Sequence, residues 1–134
     1  MPESDPERVA LRFVNEINRH DVPALLALMS DDHKFVDGLG QEVRGKERLR
    51  EAWAAYFAMV PDYRILIEDH TTVGIHIGLF GTASGTCAVK GELTPSRRWK
   101  IPAAWKAIVR DGKVEHWQVY ADNEPVRKIL AAAP

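Results

Sequence analysis

One cysteine, Cys87, in 134 residues leaves no disulfide within the chain and none of the paired-cysteine metal signatures. An excess of either charge is missing too. Lysine and arginine total 18 against 19 aspartates and glutamates, for a formal net charge of −1. That balance removes the general electrostatic reason to hold nucleic acid or an anionic membrane. No apolar run approaches the ~20 residues of a membrane-spanning helix. The opening Met1-Pro2-Glu3-Ser4-Asp5 is acidic and polar, the opposite of a secretory leader. No G-x-G-x-x-G and no Walker sequence is present. His20, His33, His70, His76 and His116 show no metal-ligand spacing. These absences lead us to expect a cytoplasmic protein with no metal or cofactor, and no nucleic-acid or membrane partner.

What is present is an ordinary globular composition, 46% hydrophobic and 28% charged, in a length that suits one domain. There is no linker, repeat or low-complexity tract, so residues 1–134 are expected to form one unit with its core over about 7–130. Helices come first. From Pro6 to His20, Val9, Phe13 and Ile17 recur at i, i+4 and i+8 with Ala10 and Val14 beside them, which predicts an amphipathic helix. Asp21 and Pro23 suit the start of a short helix through about Met29. Ser30-Asp31-Asp32 breaks it, and His33 to Asp37 reads as a short strand ended by Gly38 and Gly40. From Lys46 the helical period returns through Leu49, Trp53, Tyr56, Phe57 and Val60, and Pro61 stops it.

The period then changes to two. Tyr63–Thr72 and His76 to about Val89 read as strands, the second with Gly78, Gly81 and Gly85 as places for bulges or strong curvature. Arg98–Val109 and Lys113–Ala121 flank Asp111-Gly112, a dipeptide suited to a type I′ hairpin. Asp122 or Asn123 is placed to cap a last helix ending near Leu130. The expected architecture is α+β: a curved antiparallel sheet, cone-shaped, with the three helices of the N-terminal half on its concave face.

That order of elements resembles the nuclear transport factor two-like superfamily, the fold of ketosteroid isomerases and SnoaL-like polyketide cyclases. Two stretches carry the likeness: Ser30-Asp31-Asp32-His33-Lys34-Phe35-Val36-Asp37-Gly38 through Gly45, and Asp111-Gly112-Lys113-Val114-Glu115-His116-Trp117. The resemblance spans about Glu7 to Leu130 and implies the fold more firmly than the chemistry, because folds of this kind host many functions. It places the isomerase general base on Asp37. The isomerase oxyanion tyrosine falls on Phe13, and its protonated aspartate falls near Trp105, so the usual donors are absent. The cyclases' late acid/base position falls on Ala121, one residue before Asp122, and their sheet histidine falls roughly on Cys87. The Asp-Arg-Asp set of epoxide hydrolases has no match.

The likeness therefore implies a small-molecule-binding domain with an isomerase- or cyclase-like reaction driven by Asp37 on an apolar, ring-containing substrate. The alternative is a non-catalytic binding or dimerisation module. Phe13, Met29, Trp53, Phe57, Ile101, Trp105 and Trp117 are the implied pocket walls, and plain core packing is the competing account of the large aromatics. Trp99, Ile101, Ala103 and Trp105 share one strand parity, which supports Trp105 facing inward. For Asp37 the competing account is a cap on the Gly38 turn. Cys87 reads as a buried strand residue, and Arg97-Arg98 with Lys100 as a solvated loop. A homodimer through the outer sheet face is implied by the resemblance. Apolar residues on both strand parities support it: Ile77 and Leu79 against Phe80, Ala104 and Ile108 against Ala103 and Val109.

Overall fold

The computed structural model describes residues 5–132; the acidic opening, residues 1–4, lies outside the described residues. Helix α1, Pro6–Asn18, begins where Asp5 accepts the Glu7 N–H at 3.1 Å and Pro6 supplies a pre-set φ. Its stripe Val9, Ala10, Phe13, Val14 and Ile17 is buried. Asp21 accepts the Ala24 N–H at 3.1 Å and starts α2, Val22–Leu28. The chain then passes directly into strand β1, Met29–Val36, which starts four residues before the expected strand at His33. A short β2, Glu42–Arg44, pairs back onto β1 and precedes α3, Lys46–Met59.

Four long strands follow: β3 Arg64–Val73, β4 His76–Thr86, β5 Arg98–Arg110 and β6 Lys113–Ala121. The six strands make one open sheet in the order β2-β1-β6-β5-β4-β3. The architecture is α+β, and one pairing amends the antiparallel expectation: β1 runs parallel to β6. A tight turn forces antiparallel pairing, whereas β1 and β6 meet only after most of the chain has intervened, so their direction is free.

Local chemistry bends and ends these strands. Asp111 and Gly112 take φ of +54° and +76°, the left-handed pair of a type I′ turn. Opposite Ile67 and Asp69 the register slips, leaving Glu68 as the extra residue of a bulge against Gly81. A Cβ at Gly81 would run into the Leu66 carbonyl, so glycine is what lets the two strands close there. Strand β4 stops at Thr86, short of the expected Val89, because Asp62 takes both its N–H and its hydroxyl at 2.7 Å. The helices are tied to the sheet edge by Asn18, whose side chain donates to the Ile65 carbonyl (2.9 Å) and accepts the Ile65 N–H (2.7 Å). A fourth helix, α4 Glu124–Ala131, follows β6; Asp122, not Asn123, accepts the Glu124 N–H at its start. It has no fully buried residue, and Val126 and Ile129 lean on the core.

Candidate ligand-binding site

Between α3, the concave face of β5 and β6, and α4 lies a cavity of about 370 Å³. All four tryptophans of the chain line it: Trp53 from α3, Trp99 and Trp105 from β5, Trp117 from β6. Strand period explains this, because Trp99, Ile101, Ala103 and Trp105 alternate inward along β5 and all line the space. Aromatic rings meet in sequence along one wall. Phe35 meets Trp53 at 5.8 Å, Trp53 meets Tyr56 at 6.5 Å, and Tyr56 meets Tyr63 at 4.9 Å, each edge-on. Tyr63 then lies 6.1 Å from Trp99. Asp37, Asn123, Arg127 and Leu130 are also part of the lining.

Seven side chains were expected as walls, and the structure divides them. Trp53, Ile101, Trp105 and Trp117 line the cavity; Phe13, Met29 and Phe57 do not. Phe13 is fully buried against Trp117 (4.8 Å) and His33 (5.9 Å), in the layer between α1 and the sheet. Met29 is buried at the start of β1. Phe57 turns away to stack on His20 at 4.1 Å with rings nearly parallel. The sequence reading missed Phe35, Tyr56, Tyr63 and Trp99 as lining residues. Trp99 was legible from its parity with Trp105, and Tyr56 from its place one helical turn after Trp53.

Indoles, phenols and the side chains of Asp37, Asn123 and Arg127 supply the polar groups of the lining. The indole nitrogens of Trp53, Trp99 and Trp105 are buried and have no hydrogen-bond partner among the described residues. Burial pushes the pKa values of Tyr56 and Tyr63 upward, so both phenols keep their protons. An unmatched buried donor costs about 1–3 kcal/mol. Asp37 is half-buried at the edge of the cavity, and its Oδ1 is engaged: it accepts the N–H groups of Leu39 (2.9 Å) and Gln41 (3.0 Å). The turn-cap geometry is therefore formed, and it sits beside the cavity.

Other candidates fall elsewhere. Cys87 is buried and off the cavity. Arg97 is not a solvated loop residue: it donates to the carbonyls of Cys87 (2.8 Å) and Ile129 (3.4 Å). His33 is fully buried; its Nδ1 lies 2.6 Å from the Val114 carbonyl and its Nε2 has no partner. Burial lowers its pKa to about 4, against the opposing pull of the Val114 bond. Among the described residues no group of three or more His, Cys, Asp or Glu side chains is placed to hold a metal ion. No helix among them is long and apolar enough to cross a membrane. A wider hollow of about 500 Å³ between α4 and the segment after β4 is lined by Val89, Lys90, Thr94 and Arg97, and contains neither Asp37 nor any expected wall residue.

Comparison with known proteins returns a sequence-family match and many similar solved structures. The family model of the SnoaL-like domain matches residues 10–117. No curated protein sequence matches. Among solved structures, a candidate SnoaL-like polyketide cyclase from Shewanella putrefaciens superposes with a TM-score of 0.81 at 18% identity, over 98% of each chain. A hypothetical protein from Catenulispora acidiphila with a ketosteroid isomerase-like fold, in complex with trimethylamine, gives 0.78 at 19% identity over 88% of each chain. TerC, co-crystallised with polyporic acid, gives 0.78 at 17% identity, over 95% of this chain and 98% of its own. At such identities the likeness establishes the fold.

Proposed function

The chain belongs to the SnoaL-like domain family, and from that premise we propose that it holds an apolar, ring-containing small molecule in the aromatic cavity. The observation that carries this reading is the placement of all four tryptophans around one space of about 370 Å³. That size and lining suit a compact organic ligand of two or three rings. A collapsed core of the same residues would leave no such space. Two chains of the same fold are described with small organic molecules, trimethylamine and polyporic acid, which supports a ligand-holding role.

Native mass spectrometry of protein purified without denaturation tests the reading, with Ala103→Trp as the filled-cavity comparison. Ala103 lines the cavity, so a bulky replacement occupies it. A small-molecule adduct on the wild type that is missing from the folded variant is the expected result. An adduct that persists unchanged in the variant places the ligand elsewhere and overturns the reading.

A catalytic extension, isomerase- or cyclase-like, uses Asp37 as the base. What favours it is that Asp37 lines the cavity and only one carboxylate oxygen is committed to the turn. Loss of turnover in Asp37→Asn with ligand affinity retained supports this extension, and retained turnover removes it. Self-association through the outer sheet face completes the proposal. There Phe80, Ala104 and Tyr120 stand in one cross-strand row, with Phe80 and Tyr120 about half exposed.

A further inference from the structure

The ends of β1 and β6 bring two polar side chains, Asp37 and Asn123, into the lining of the cavity, and the fold leaves both partly unused. Asn123 stands at the N-cap position of α4, where asparagine ordinarily accepts a backbone N–H. Its side chain makes no capping bond; Asp122 takes the Glu124 N–H instead, at 3.0 Å. The half-buried amide of Asn123 lies over Gly38, so close that a Cβ there would come within 2.5 Å of Nδ2. The φ of Gly38 is outside the left-handed region, so its backbone does not call for glycine. What the missing side chain provides is room for this amide. Next to Gly38, the Asp37 carboxylate is fixed by the Leu39 and Gln41 N–H groups on Oδ1, and its Oδ2 is unengaged among the described residues. The other charged group of the lining, Arg127, is already paired with Glu124 at 3.2 Å.

We propose that Asn123 is a specificity-determining residue of the cavity, and that with Asp37 it selects a ring ligand carrying a hydroxyl group. This rests on the reading of the cavity as a ligand site and goes further, in naming the polar group of the ligand and a residue that reads it. A carboxylate oxygen only accepts hydrogen bonds, whereas a primary amide both donates and accepts. A hydroxyl suits that pair, because it donates to Asp37 and accepts from the Asn123 amide. A ketone of the same shape can meet the amide but leaves Asp37 without a donor, and a hydrocarbon answers neither.

Calorimetric titration with 1-tetralol, 1-tetralone and tetralin, which differ only at one carbon, separates these cases. The expected result is that 1-tetralol binds about tenfold more tightly than tetralin and about threefold more tightly than 1-tetralone. Two variants address Asn123. Asn123→Leu removes the amide at similar volume, and Gly38→Ala pushes it aside, because Nδ2 is the end of a side chain that can turn. Each is expected to lower 1-tetralol affinity about fivefold and to leave tetralin unchanged. A residue that merely packs would move both probes together. Tetralin or 1-tetralone binding as tightly as 1-tetralol overturns the proposal and leaves the ligand-site reading standing. So do variants in which 1-tetralol and tetralin change equally or not at all. Binding of none of the three probes overturns both. The comparison of probes on the wild-type protein stands even where a variant fails to fold.

Discussion

Burial of His33 without a partner for Nε2 ties the stability of the fold to pH. Its pKa is lowered from 6.5 to about 4, chiefly by desolvation. Above pH 6.5 both folded and unfolded chains carry the neutral ring and the contribution is whole. As pH falls below 6.5 the unfolded chain takes the proton first, so stability is lost progressively until about pH 4. The charge of Asp32 opposes this shift, while Lys46 and His116 add to it. His116 is itself shifted downward by burial and acts in the same direction. The folded state should be about 2 kcal/mol less stable at pH 5 than at pH 7.5 on account of His33 alone. Between pH 7.5 and pH 5 the urea midpoint of the wild type should fall further than that of His33→Gln; parallel pH profiles would contradict it. At Asp37 the two backbone N–H bonds predict that Asp37→Ala costs about 1 kcal/mol, with Asp37→Asn nearer neutral because its amide oxygen can still accept. Denaturant midpoints that order the two variants the other way would remove the capping role.

Among the elements, the β3–β4 pair depends on its glycine. Because a side chain at Gly81 meets the Leu66 backbone rather than a flexible group, the strands themselves must move to admit it. Gly81→Ala should therefore destabilise by about 2–3 kcal/mol, a cost of the kind seen in overpacked sites. Gly74→Ala is a poor control because Gly74 has φ of +61°, but Ala83→Gly in the same strand is a suitable one. Thermal midpoints of the two variants test the difference, and an unchanged midpoint for Gly81→Ala would refute the close approach. The glycines of this strand and Asp111-Gly112 were readable in advance because each acts through its own backbone. The first half of β1 was not. Ser30, Asp31 and Asp32 are polar and not buried, and they lie in the irregular stretch between the Met29–Val114 and Lys34–His116 pairings, where no alternation marks a strand. Strand β2 is only three residues long, too short to show a period.

For the molecule as a whole, inward was legible and depth was not. Strand and helix periods place Phe13, Phe57, Trp53 and Trp105 on inner faces alike, but only the packed layers decide which ring meets the sheet and which meets the cavity. That is why Phe13, Met29 and Phe57 were read as walls and Tyr63, which lies in the turn between α3 and β3, was missed. The outer face has a separate consequence. Leu66, Phe80 and Tyr120 are each about half exposed, and a row of this kind predicts self-association that Phe80→Lys should abolish. Sedimentation at tens of micromolar should show a dimer for the wild type and a monomer for the variant; a monomeric wild type would defeat it. The central claim concerns the inside. Because every tryptophan lines the cavity, the four indole N–H signals of a ¹⁵N-labelled sample report directly on its occupancy. Saturation with 1-tetralone, a compact two-ring probe, should move all four, because each ring borders the space the probe fills. Four unmoved indole signals at saturating 1-tetralone would contradict the account.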